Sequence, residues 1–220
     1  MFYSVKDEWF KSPGYLTCDL PQCCIDELTE TITKLESGEI EKIDNRPGGQ
    51  RHLAQEWRLP IGPNMRYITE SMCYDYDRIF KGGDHVFQEY FHTSDHHKIS
   101  YDTKGMWINY SKRGDFNPPH VHEGMFAFVI WVKIPYDLEE EISRYNSCSN
   151  LASQFTFNWI NAKGKLRTTP LYIDKSWEWR IALFDAFLPH SVFPFYTSDE
   201  WRITIAGDIY AKIDSDEGQT

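Results

Sequence analysis

Between Pro21 and Gly38 the apolar residues Ile25, Leu28, Ile32 and Leu35 recur every three to four positions, the spacing of one helix face, and Gly38 stands where such a helix would stop. A second run begins at Pro63 and sets Met65, Ile68, Met72, Tyr76 and Ile79 along one stripe before Gly82-Gly83 interrupts it. Both stripes predict helices laid on the outside of a sheet rather than ligand-binding faces. Residues 44–55 contain Arg46-Pro47-Gly48-Gly49-Gln50-Arg51 and have no apolar period, which predicts a long exposed loop.

After residue 83 the period shortens to that of strands. Segments at 86–91, 98–101, 106–111, 125–134, 154–160, 170–173, 179–184, 190–195 and 202–210 are separated by Gly, Pro, Asn and Asp. So many short strands with few helices predict a mainly β chain with flanking helices, either closed or folded into two antiparallel sheets. Residues 136–151, with Asp137, Glu139, Glu140 and Glu141, break the pattern and read as an inserted loop or short helix whose charges face solvent. The expectation is a single domain over 1–220, with 1–83 as helical support, 84–211 as the β core and 212–220 as a fraying polar tail.

The chain of 220 residues has a formal net charge of −10. That makes nucleic acid an unlikely partner, because phosphate binding runs through Lys and Arg. Lys112 and Arg113, and the group Lys163, Lys165 and Arg167, read as solvated hairpin tips. No apolar run reaches eighteen residues, and Lys6, Asp7 and Glu8 interrupt the start of the chain before any signal-type stretch. A soluble cytoplasmic protein without membrane contact is expected, and a homodimer stays open. The five cysteines, Cys18, Cys23, Cys24, Cys73 and Cys148, fit no metal or disulfide framework and are expected to be reduced. Gly-x-Ser-x-Gly, a Gly-rich phosphate loop and His-Glu-x-x-His are all absent.

The chemistry is concentrated in the histidines. His120 and His122 follow Asn117-Pro118-Pro119, and in an extended chain side chains two apart point the same way. With eight histidines in the chain, one His-x-His is a weak signal. It gains weight from the apolar strand Met125 to Ile134 that follows and from a third histidine, His190, in Leu188-Pro189-His190-Ser191-Val192. Three neutral imidazoles suit a first-row transition metal. Twelve residues after His190 come Arg202-Ile203-Thr204, where Arg202 and Thr204 share a strand face and could grip a carboxylate together. His92, His96 and His97 lie in a polar hairpin-like stretch, and His52 and His85 carry no pattern. Trp131 lies on a strand that could bring it to the interior near such a site.

The stretches Asn117 to Pro135 and Leu188 to Gly207 resemble the iron(II)- and 2-oxoglutarate-dependent oxygenases, within them the small branch of bacteria and tailed bacteriophages. That branch shows Asn-Pro-x-His-x-His, Leu-x-His-x-Val-x-Pro and Arg-x-Ser/Thr, and the specific resemblance runs from about Trp107 to Ala211. It implies a double-stranded β-helix, a cupin-like jelly roll, with Fe(II) at its mouth on His120, His122 and His190. It implies 2-oxoglutarate as co-substrate, its far carboxylate on Arg202 and Thr204 with Asn109 as a further contact, and O2 as oxidant. The reaction implied is hydroxylation of an unactivated C–H bond. Most of the superfamily holds iron with two histidines and one carboxylate, whereas the carboxylate position here reads His122. Glu123 or Asp185 would supply an oxygen ligand if the strand is bulged, and iron against zinc stays open.

Substrate choice in this family lies in variable loops. The acidic composition leans toward a peptide, protein or small molecule, with prolyl or other protein side-chain hydroxylation ranked first and residues 44–55 and 136–151 as candidate lids. A zinc cupin hydrolase or isomerase would use the same three histidines with water as fourth ligand, and would have no use for Arg202. A non-catalytic jelly-roll binding or phage structural module would need none of the histidines, as would histidines that merely fill the core. The resemblance alone implies a bacterial or bacteriophage source, and so a bacterial host cytoplasm.

Overall fold

A computed structural model describes residues 14–44, 55–80, 99–144, 151–161 and 163–213. In these residues the strands are β1 (Tyr15–Asp19), β2 (Gln55–Leu59), β3 (Ile99–Ser111), β4 (Asn117–His120), β5 (Phe126–Lys133), β6 (Phe155–Ile160), β7 (Leu166–Leu171), β8 (Arg180–Asp185), β9 (His190–Val192) and β10 (Arg202–Ile213). The helices are α1 (Gln22–Ser37), α2 (Pro63–Phe80) and the short α3 (Leu138–Ser143). A six-stranded sheet in the order β1-β8-β5-β10-β3-β2 faces a four-stranded sheet in the order β4-β9-β6-β7, and the pairings within both are antiparallel. This is the double-stranded β-helix architecture expected from the sequence.

The larger sheet is buried on both faces, which is why β5 reads Phe-Ala-Phe-Val-Ile-Trp-Val without polar alternation. Phe126, Phe128 and Ile130 point into a core shared with α1 and α2, while Ala127, Val129 and Trp131 point into the core between the sheets. Leu28, Leu35 and Met65 are at most 1% exposed; burying each such side chain stabilises the fold by about 1.5–3 kcal/mol. Gly38 ends α1 in the left-handed region at φ 83° and returns its N–H to Leu35 O. The N-terminus of α2 is capped from α1: Glu27 accepts from the backbone N–H groups of Asn64 and Met65, both at 3.0 Å.

Several expectations change. The stretch 1–83 is not purely helical support, because β1 and β2 join the larger sheet at its two ends. In β2, Glu56 and Arg58 lie opposite Asn109 and Trp107 and so face away from the helices, which leaves no apolar period to read. The separate strands expected at 98–101 and 106–111 are one strand, β3, which passes through Gly105 opposite Asp208, where a bulge shifts the register. β7 begins earlier than expected, at Leu166, and β9 stops at Val192, ahead of Phe193-Pro194. The acidic run is not all solvated: Glu141, on α3, is fully buried and accepts from the N–H groups of Tyr196 and Thr197. The expected strand at 86–91, most of the loop at 44–55, His52, His85, His92, His96, His97, Cys148 and the tail from 214 onward lie outside the described residues. Cys18, Cys23, Cys24 and Cys73 are free thiols, and burial pushes that of Cys24 up to about 12. Among the described residues no helix is long and apolar enough to cross a membrane.

β3 and β10 approach closely because Gly207 lacks a side chain. A Cβ there would stand 2.5 Å from the Phe128 ring and 2.7 Å from Gly105 O, whereas one at Gly105 would meet open space. Gly207→Ala is expected to cost about 1–3 kcal/mol in urea unfolding as an overpacked core site, and Gly105→Ala to stay within about 0.5 kcal/mol of the parent. Equal effects would contradict this packing.

Candidate metal centre and co-substrate cavity

β4 is an edge strand, where two consecutive prolines are tolerated because no ladder N–H is needed. It delivers His120 directly opposite His190 on β9. The strand then ends, so His122 is not placed by strand alternation as expected. Its backbone N–H instead donates to Ala186 O at 2.8 Å, and its ring is stacked between Trp107, at a centroid distance of 5.7 Å, and His190, at 5.0 Å. The three histidines come together with ligand atoms all within 4.8 Å of one another, and among the described residues no carboxylate belongs to the cluster. Asp185 turns its Oδ1 to the Phe187 N–H at 2.8 Å.

The hydrogen bonds at the far side of each ring decide what this cluster can hold. His120 Nδ1 donates to Pro118 O at 2.8 Å, His190 Nδ1 to Leu188 O at 3.0 Å and His122 Nδ1 to Asp208 Oδ1 at 2.7 Å. All three partners are acceptors only, so in the neutral rings the proton sits on Nδ1 and each Nε2 presents a lone pair. Nε2 of His122 and Nε2 of His190 are 3.2 Å apart. Two nitrogens each about 2.1 Å from one ion sit roughly 3 Å apart, so the spacing fits a shared metal. Extra protons are disfavoured: burial pushes His190 well below the ordinary histidine value, helped by the other two imidazoles, and burial also lowers His120. His120 Nε2 additionally accepts from Asn117 Nδ2 at 3.3 Å.

From the metal cluster a cavity of about 560 Å³ runs between the sheets, lined among others by Trp107, Asn109, Trp131, Tyr136, Arg202 and Thr204. Arg202 is 3% exposed. Its Nη1 donates to Phe193 O at 3.0 Å, and its Nη2 is buried with no hydrogen-bond partner among the described residues, the Tyr136 hydroxyl lying beside the guanidinium. Burial lowers its proton affinity, an effect opposed chiefly by the adjacent Tyr136. An orphaned guanidinium donor costs free energy until an acceptor reaches it, so the donor set fits the carboxylate of a ligand. Asn109 Nδ2 lies 3.4 Å from Thr204 Oγ1, and its Oδ1 has no partner among the described residues. The sequence reading missed Tyr136 and Asp208. Asp208 was within reach of the strand period that joins Arg202 to Thr204, since 202, 204, 206 and 208 share one face.

Residues 105–208 match the sequence profile of the family described as "Putative 2OG-Fe(II) oxygenase". Among solved structures, a prolyl-4-hydroxylase from Pseudomonas putida is similar over 90% of this chain and 93% of its own, with 12% identity and a TM-score of 0.51. The viral collagen prolyl hydroxylase of Paramecium bursaria Chlorella virus-1 is more distant in shape, with 13% identity, 89% and 94% covered and a TM-score of 0.41. The same holds for AviO1 from Streptomyces viridochromogenes Tue57, with 11% identity, 96% and 94% covered and a TM-score of 0.47. No curated protein matches in sequence. Fold and site together define a double-stranded β-helix with three convergent histidines that could hold a metal ion. The matched stretch, 104 of the 220 residues, holds His120, His122, His190 and Arg202 and is similar to the 2OG-Fe(II) oxygenases.

Because His120 and His190 resist protonation in the fold while the unfolded chain takes up protons below about pH 6.5, their contribution to stability is full above that pH and is lost as pH falls. Urea unfolding of the metal-free protein should show lower stability at pH 5.5 than at pH 7.5, with a flatter dependence in His190→Gln. A pH-independent midpoint would contradict the lowered proton affinity of His120 and His190.

Proposed function

We propose that the protein is an iron(II)- and 2-oxoglutarate-dependent hydroxylase of a peptide or protein side chain, with His120, His122 and His190 as metal ligands. The observation that carries this reading is one cavity, lined by His120 and His122 of the three convergent histidines, that also reaches Arg202, whose buried Nη2 has no hydrogen-bond partner among the described residues. Bound iron(II) and 2-oxoglutarate supply activation of O2, with the oxo acid decarboxylated to succinate. The chain supplies position and exclusion of water. Arg202 Nη2 would take the far carboxylate, with Thr204 Oγ1 and the Asn109 amide beside it. Trp131, Val129 and Phe155 wall that end of the cavity with apolar surface. A zinc hydrolase would leave Arg202 Nη2 without a purpose.

The cavity falls in the range of about 300–1,000 Å³ that holds a drug-sized ligand. It has room for 2-oxoglutarate and part of a second molecule. Its outer part is lined by Trp107, Pro118, Pro119 and Val121 around His120 and His122, an apolar and aromatic rim suited to a saturated side chain such as proline. The fold neighbour named a prolyl-4-hydroxylase points the substrate screen in the same direction.

Anaerobic titration of the metal-free protein with iron(II) and then 2-oxoglutarate should raise a visible charge-transfer band that saturates near one equivalent. His190→Ala should abolish it. Arg202→Met should weaken 2-oxoglutarate binding about 10–100-fold, as expected for losing charge-assisted hydrogen bonds worth ~1.5–3 kcal/mol. Absence of the band in the iron-loaded protein would overturn the reading. In air, proline-containing peptides should increase succinate release over the peptide-free rate; no stimulation across a peptide library would remove the peptide assignment.

A further inference from the structure

Among the described residues no carboxylate joins the three-histidine cluster, yet one stands a single ring away. We propose that Asp208 is a positioning residue that supplies, through the imidazole of His122, the negative charge the three-histidine centre lacks. The proposal rests on the oxygenase reading of the triad.

Of the three rings, two hold their Nδ1 protons against neutral backbone carbonyls, Pro118 O and Leu188 O. His122 alone holds its proton against a carboxylate, at 2.7 Å. Such a pair lets the ring share its proton, makes Nε2 a stronger donor and places a negative charge close to the cation. The orientation is complete: stacking between Trp107 and His190 sets the plane of the His122 ring, at 19° and 10° to its neighbours, and Asp208 sets its rotation within that plane. The backbone is built to bring the two together. The β10 register shifts between Asp208 and Ile209. Gly124, two residues after His122, packs so tightly on β10 that a Cβ would lie 2.8 Å from Ile209 O and 3.2 Å from Asp208 Cβ. Asp208 and Arg202 lie on the same strand face, so one strand carries both the countercharge for the metal and the cation for the co-substrate.

Asp208→Asn tests the charge with little change of shape, since the amide oxygen can still accept from Nδ1. Iron(II) affinity is measured anaerobically by competition with a colorimetric chelator, and 2-oxoglutarate affinity by the charge-transfer band of the metal-loaded protein. Iron(II) affinity should fall about 10–100-fold. At saturating metal, 2-oxoglutarate should bind at least as tightly as to the parent, because an iron centre one charge more positive attracts the dianion more. The band should move to higher energy, as electrons leave a more electropositive iron less readily. Asp208→Glu, which keeps the charge, should recover metal affinity relative to Asp208→Asn. Unchanged metal affinity and band position in Asp208→Asn would overturn the proposal. Parallel weakening of metal and 2-oxoglutarate with no band shift would overturn it too, by reducing Asp208 to a structural brace. A parent protein that fails to bind iron(II) would instead defeat the oxygenase reading itself.

Discussion

Three imidazole lone pairs are held face to face by hydrogen bonds that keep their protons on the outer side of each ring, and the rest of the site follows from this constraint. Pro118 O, Leu188 O and Asp208 accept the Nδ1 protons, which leaves Nε2 of His122 and Nε2 of His190 facing each other at 3.2 Å. Burial opposes an additional proton on His190. A cation is what such a cluster is complementary to, and the same logic operates about the opposite charge at Arg202, whose buried Nη2 awaits an acceptor. A ligand with a metal-chelating head and a carboxylate tail answers both demands at once.

The fold positions these two unmet groups with few elements. β10 lies between β5 and β3 near the middle of the larger sheet and carries Arg202, Thr204 and Asp208 on the face that looks toward the smaller sheet. β4 and β9 on the smaller sheet bring His120 and His190 into register. Among the described residues, α1 and α2 cover the outer face of the larger sheet, away from the site. Glu141 plays a supporting part, since its carboxylate ties α3 to the backbone at Tyr196 and Thr197, in the segment leading into Arg202.

Local signals made most of the frame legible. The helical stripes of α1 and α2 and the apolar run of β5 follow directly from periods of burial, and Gly38 marks a helix end because a left-handed φ is needed there. The histidine trio and the arginine could be picked out because few residue types do such chemistry. What escaped was set by tertiary context. β2 hides its strand character because its polar side chains face the cavity side of the sheet, and the His122 backbone departs from the strand because Ala186 and Gly124 hold it elsewhere. Asp208 lies on the strand face of Arg202 and Thr204, but its pairing with His122, eighty-six residues away, is set by the tertiary fold, and Tyr136 escaped because its place beside Arg202 depends on how the segment after β5 packs.

The most direct measurement is a crystal structure of the protein grown anaerobically with iron(II) and 2-oxoglutarate, with anomalous data at the iron edge. One iron peak should appear, bound at about 2.0–2.2 Å by Nε2 of His120, His122 and His190, with the far carboxylate of 2-oxoglutarate on Arg202 Nη2. An iron held by Glu123 or Asp185, or a 2-oxoglutarate that leaves Arg202 Nη2 unpaired, would contradict the account.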